Sequence, residues 1–180
     1  YDCQRNGARV FAIATHIPST EIGTGYFQET NPEQIFSGCC NYIGTLTTPD
    51  QMPRLSELAL QAAILGRGVG MVIVPGFIDG HCHIESTMLT PAAFSELAAV
   101  RGTASAAPDP HEIANTCGMA GVEYMWRESL NCPVDLFFTA PSCVPASSFE
   151  TPFEELDAKA VAEMFARGWC DSLGEVMNYP

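Results

Sequence analysis

Little in this sequence can grip a polyanion. Only 8 Lys and Arg stand against 21 Asp and Glu, a formal net charge of −13. Phosphate backbones and anionic lipid surfaces are held by cations, so nucleic acid and membrane are excluded as partners. Long apolar runs are missing too, and none approaches the ~20 residues of a membrane-spanning helix. The first residues, Tyr1-Asp2-Cys3-Gln4-Arg5, show neither an initiator Met nor the apolar core of a secretory signal. No C-x-x-C pair occurs among the eight cysteines, and Cys39 and Cys40 are adjacent. Without a secretory signal a disulfide framework is not expected. Most of these cysteines are expected to be thiols acting as small buried hydrophobes in a cytoplasmic protein. Histidine is scarce as well. His16, His81, His83 and His111 are the full set, so imidazole chemistry must come from these four.

What is present suits a folded α/β protein. Hydrophobic residues make up 47% and charged residues 16% of 180, enough for a proper core. The most informative stretch is 72–85, Val-Ile-Val-Pro-Gly-Phe-Ile-Asp-Gly-His-Cys-His-Ile-Glu. It opens as an apolar β-branched run and ends in two histidines spaced i, i+2. Side chains alternate faces along a strand, so His81 and His83 project together. Two convergent imidazoles are half of a metal site, and Asp79 and Glu85 lie close by. Cys82, between them, is expected to point to the opposite face. His16 has no partner in the sequence and reads as structural or exposed.

Residues 1–70 carry no clear pattern. Arg9–Ala14 reads as a strand, Thr20 to Thr48 as loop, and Leu55–Leu65 as a short helix stopped by Gly66 and Gly68. From Met71 the order becomes regular. Met71–Ile78 is a continuous apolar strand, as expected when both faces are covered. Thr90 caps a helix with Pro91 at its first position. Thr103–Ala107 is a strand of small residues, and Pro108 roughens its end. Asp109-Pro110-His111-Glu112 has the form of a capping box, with Asp109 as N-cap and Glu112 as its partner. Met119, Met125 and Trp126 of that helix read as packing residues. Val134–Thr139 is a third strand, Asp157–Arg167 a helix, and Ser172–Met177 a fourth strand carrying Glu175. Alternating strands and helices predict parallel strands joined by right-handed crossovers. The polar residues gather at carboxyl ends of strands, where a (β/α)8 barrel places its active site.

These segments resemble one family. Pro75-Gly-Phe-Ile-Asp-Gly-His-Cys-His83 is similar to the first-strand signature of the amidohydrolase superfamily. The continuation to Pro91, Asp109-Pro-His-Glu-Ile-Ala-Asn115, Ala140-Pro-Ser-Cys-Val-Pro145 and Gly174-Glu-Val-Met-Asn178 resemble the adenine deaminases within it. The resemblance covers about residues 71–180 and implies the first four β/α units of a (β/α)8 barrel. It further implies a binuclear divalent metal centre, manganese or iron, a purine base as substrate, and a full-length protein compatible with a homo-oligomer. By position, His81 and His83 would ligate one metal. Glu175 would bridge the two, in place of the carboxylated lysine of many relatives, since a carboxylate suits hard divalent ions. His111 is a candidate accessory ligand, Asp109 a candidate site-organising residue, and Glu85 a candidate substrate contact. The implied chemistry is hydrolytic. Water adds at C6 of adenine and an acid protonates the leaving amino group.

The sequence departs from that family in two places. It ends just after the fourth strand, so the later histidine ligands and the eighth-strand aspartate that does acid/base work are not in it. The expectation is a fragment that is inactive without complementation. Residues 1–70 lose the resemblance after a faint likeness at Asn6–Phe11. They read as a β-rich domain remnant, a divergent insertion or a shifted reading frame, and translation of the other two frames tests the last. Three other readings stand beside this one. Another amidohydrolase acting on cyclic amides is disfavoured by the Asp-Pro-His-Glu and Pro-Ser-Cys-Val-Pro motifs. A cytidine-deaminase zinc site fits His83-Ile-Glu85 but lacks the P-C-x-x-C that must follow. A non-catalytic relic with partial metal binding is separated from an enzyme by metal analysis and an activity assay.

Overall fold

A computed structural model describes residues 1–26 and 29–177. Asn178, the last residue of the fourth-strand motif, lies outside the described residues, as do Phe27 and Gln28 of the expected loop. The chain forms two compact units, Tyr1–Phe77 and Ile78–Pro180, so the division falls later than residue 70.

The first unit contains α1 (Asp2–Arg5), β1 (Val10–His16), α2 (Pro32–Phe36), β2 (Tyr42–Thr45), α3 (Met52–Gly66) and β3 (Val69–Pro75). It corrects the expectation of an irregular segment. The strands form one sheet in the order β1-β3-β2. Both pairings are parallel, with Val10 opposite Val69 and Tyr42 opposite Gly70. Val69–Val74 is buried throughout because β3 is central and α3 covers it. Gly70 permits that contact, since a Cβ on it would lie 1.8 Å from the Ala59 carbonyl oxygen. Ala59, Val72 and Val74 form the core, flanked by Phe11, Tyr42 and Leu55. The helix also begins three residues before the expected Leu55 and runs one residue past the expected Leu65. Gly66 is its last residue, and Arg67, not a glycine, takes the left-handed position at φ 48°.

The expected strand Met71–Ile78 is in fact two. β3 ends at Pro75, which has no N–H to continue a ladder. After Gly76, β4 (Phe77–Cys82) pairs in a different sheet with β5 (Thr103–Pro108). The strand that delivers the histidines is therefore β4, not the apolar run before it.

In the second unit α4 (Pro91–Ala99) lies between β4 and β5, followed by α5 (His111–Ser129), β6 (Asp135–Leu136), β7 (Thr139–Ala140), α6 (Ala158–Ala166) and β8 (Ser172–Leu173). Sheets β4-β5-β6 and β7-β8 result, and the β5/β6 and β7/β8 pairs are parallel. The α/β order is the one expected, but the third strand is split into β6 and β7, and the fourth pairs over two residues only. Ile84, Val122, Met125, Phe138 and Met164 make up much of the core. Each such side chain contributes roughly 1.5–3 kcal/mol by leaving water.

Caps decide where these helices begin. Thr90 Oγ1 accepts from the Ala93 N–H at 3.3 Å, and Asp157 Oδ1 accepts from the N–H groups of Lys159 and Ala160. The capping box expected at α5 is absent. Pro110 is the N-cap and no side chain bonds the helix end from that position. Asp109 is buried, so its carboxylate takes donors elsewhere, and Glu112 accepts from the Ser86 hydroxyl at 2.5 Å. Gly118, at φ 59° and ψ −148°, breaks α5, and the freed Met119 N–H donates to Glu154 Oε2 at 3.1 Å. Among the described residues no helix is long and apolar enough to cross a membrane.

Candidate metal centre

Three strand ends and one helix start bring the chemistry together. His81 is in β4 and His83 follows its end. Asp109 follows β5, His111 opens α5, and Glu175 lies two residues beyond β8. The i, i+2 spacing performs as expected, with His81 Nε2 and His83 Nε2 3.1 Å apart. His83 and His111 meet edge to face with ring centroids 4.6 Å apart, so three imidazoles form one wall. Cys82 turns away from them and packs against the hydrophobic core. Burial pushes its thiol up to about 11.

Glu175 stands opposite the imidazoles. Its Oε1 is 3.5 Å from His83 Nε2 and 3.9 Å from His111 Nδ1, and its Oε2 is 3.9 Å from His81 Nε2. Asp109 Oδ1 is 4.0 Å from His111 Nδ1. These gaps exceed a hydrogen bond. They match donors sharing one divalent ion, which at ~2.1 Å from each stand roughly 3–4 Å apart. Three groups of donors fall within this geometry: His81, His83 and Glu175; Asp109, His111 and Glu175; and His83, His111 and Glu112. The first two share Glu175, as a bridging carboxylate requires.

Two further observations show that the residues fit a metal. His83 Nδ1 lies 2.9 Å from the Asp109 carbonyl oxygen, which can only accept. The ring proton therefore sits on Nδ1, and Nε2 presents its lone pair to the cluster, the usual second contact of a metal-binding histidine. In addition Asp109 Oδ1, His111 Nδ1 and Glu112 Oε2 are buried without hydrogen-bond partners, a costly state that a cation relieves. Protonation of the cluster is tuned by the same contacts. Burial opposes charging His83, but the Asp109 carbonyl and the carboxylates of Glu112, Asp109 and Glu175 hold its pKa above the usual histidine value. Burial raises Asp109 despite the Glu175 N–H and the nearby histidines.

The sequence-predicted residues fare differently. His81, His83, His111, Asp109 and Glu175 converge. Glu85 is turned toward the start of α5, where Oε1 accepts from the Ile113 N–H at 3.2 Å, and Oε2 is buried without a partner. Burial raises its pKa. Glu112, read from sequence as a cap, instead joins the donors around His83 and His111. The signal for it was its position one residue after His111. His16 lies in the first unit, where its Nε2 is 2.9 Å from the Thr30 carbonyl oxygen.

The model of the amidohydrolase family matches residues 72–179. The chain belongs to that family. It is similar to curated adenine deaminases over the same region. That of Clostridium acetobutylicum is 50% identical over 108 residues, 60% of this chain and 19% of that protein. That of Methanothermobacter thermautotrophicus is 49% identical over 109 residues, 61% and 20% respectively. That of Nitratidesulfovibrio vulgaris is 47% identical over 111 residues, 62% and 19%. This amidohydrolase chain thus spans about a fifth of the length of these relatives. The matched region contains every donor of the candidate centre.

Proposed function

We propose that this chain supplies the first metal ligands of an adenine deaminase, a cytoplasmic hydrolase that converts adenine to hypoxanthine and ammonia. The observation that carries the reading is the convergence of His81, His83, His111 and Glu175. The similarity to adenine deaminases across that segment supports the purine substrate. In this reading the second unit is the first four β/α units of a (β/α)8 barrel, and its strand ends face the substrate.

His81 and His83 would hold a divalent ion, Mn²⁺ or Fe²⁺, and Glu175, which both donor groups share, would hold it together with them and with His111 and Asp109. The chemistry such a centre supplies when loaded is a water nucleophile available near neutral pH. The chain's own residues set the protonation that loading needs. The Asp109 carbonyl keeps the His83 proton on Nδ1, and Glu175 offers both oxygens to the imidazoles. The resemblance makes Glu85 a candidate substrate contact, while here its carboxylate is turned to the Ile113 N–H at the start of α5. The resemblance implies an aspartate of a later barrel strand as the acid that protonates the leaving amine, and since these residues match only about a fifth of the relatives' length, turnover of adenine is expected once the remaining barrel strands are supplied.

The test is an adenine-to-hypoxanthine assay with Mn²⁺, run on the chain alone and with the rest of a related barrel added in trans. Activity is expected only in the second case. Turnover by the chain alone would overturn its incompleteness. Turnover of cyclic amides but not adenine by the complemented pair would overturn the purine assignment.

A further inference from the structure

The backbone that carries Glu175 is held by side chains where the sheet stops. β7 and β8 pair as far as Leu173, and the last ladder bond runs from the Gly174 N–H to the Ala140 carbonyl at 2.8 Å. The next residue after Ala140 is Pro141, which has no N–H to donate. The Glu175 carbonyl instead accepts from the Ser142 hydroxyl at 2.8 Å, with Cys143 Sγ also 3.6 Å away. The Glu175 N–H donates to Asp109 Oδ2 at 3.0 Å, and the Met177 N–H donates to Cys143 Sγ at 3.1 Å. Space is tight as well, since a Cβ on Gly174 would lie 2.2 Å from Asp109 Oδ2. Both peptide groups flanking the Glu175 α-carbon are thus fixed by side chains, and they set the direction in which its carboxylate leaves.

We propose that Ser142 is a positioning residue of the metal centre. Its hydroxyl fixes the Glu175 carbonyl and thereby aims the carboxylate at His81, His83 and His111. Ser142 touches no donor side chain of the cluster and would act only through Glu175. The assignment rests on Glu175 and the histidines being ligands. Contacts of this kind, one step removed from a metal, change its affinity by about 10–100-fold.

The experiment titrates the full chain with Co²⁺, following both heat and the visible absorption band of the bound ion, with circular dichroism to check folding. Ser142→Ala should weaken binding by about 10–100-fold and shift the band, and Ser142→Thr, which keeps the hydroxyl, should restore both. In a Glu175→Gln background Ser142→Ala should add no further loss. Unchanged affinity and band in Ser142→Ala would overturn the proposal, as would an equal loss in the Glu175→Gln background. If Ser142→Ala does not fold, Ser142→Cys replaces it as a weaker donor of similar size, and wild-type affinity there overturns the proposal too. Absence of Co²⁺ binding by the unaltered chain would instead overturn the metal reading, and the role of Ser142 with it.

Discussion

The first unit pairs β1 with β3 over seven residues, in continuous register, beneath a 15-residue helix. The strands of the second unit run two to six residues, and its longest helix is broken at Gly118. Yet among the described residues every cluster of metal-ligating side chains lies in the second unit. The first carries a cavity of about 500 Å³ beside His16, Glu29 and Glu33, but no second imidazole lines it. Regular pairing and chemistry are separate achievements. A metal centre asks for a few donors at strand ends, and short strands with side-chain ties deliver them. A sheet asks for matched apolar lengths, which β1 and β3 provide.

That contrast breaks most sharply under substitution of donors. Glu175→Gln should lower Mn²⁺ affinity by at least about 100-fold, beyond the loss from an outer contact, whereas His16→Ala should leave it unchanged in calorimetric titration. Loss of binding in His16→Ala would erase the distinction between the units. Next in size is Gly70→Ala. The new Cβ would collide with the Ala59 carbonyl and should cost about 1–3 kcal/mol after α3 yields, read as a shift in denaturant midpoint. Gly80→Ala, with nothing within 4 Å of its Cβ, should shift the midpoint far less.

The smallest effect concerns thiol chemistry. Burial holds Cys82 at about 11 and Cys170 at about 12, so at neutral pH the reactive thiolate of each is scarce. Cys3 and Cys117 are exposed. Mass spectrometry of iodoacetamide-treated chain should find Cys3 and Cys117 labelled first and Cys82 and Cys170 last. Early labelling of Cys82 would mean that β4 does not face it into the core. The reactivity of half-buried Cys82 and buried Cys170 should rise with pH, since deprotonation supplies the nucleophile.

The sequence was most legible where chemistry repeats at short range. The period of two placed His81 and His83 together, and Thr90 announced its helix by a local cap. The α/β order of the second unit followed from alternating patterns. Residues 1–70 were opaque because their order comes from pairing across the whole unit. Val10 meets Val69, and nothing near Val10 announces it. Asp109 misled for another reason. Its position fits an N-cap, but a fully buried carboxylate goes to the donors around it, and here these include the Glu175 N–H. Ser142 and Cys143 belong to a recognisable motif, but their bonds to the Glu175 segment depend on a fold that brings residues 142 and 175 together.

In the proposed centre imidazole and carboxylate, not the eight cysteines, hold the divalent metal. X-ray absorption of the Co²⁺-loaded chain tests this directly. Nitrogen and oxygen neighbours are expected, with the outer scattering of histidine rings, reduced in a His81→Ala, His83→Ala double variant. Sulfur in the first shell, or a spectrum unchanged by removing both histidines, would contradict it.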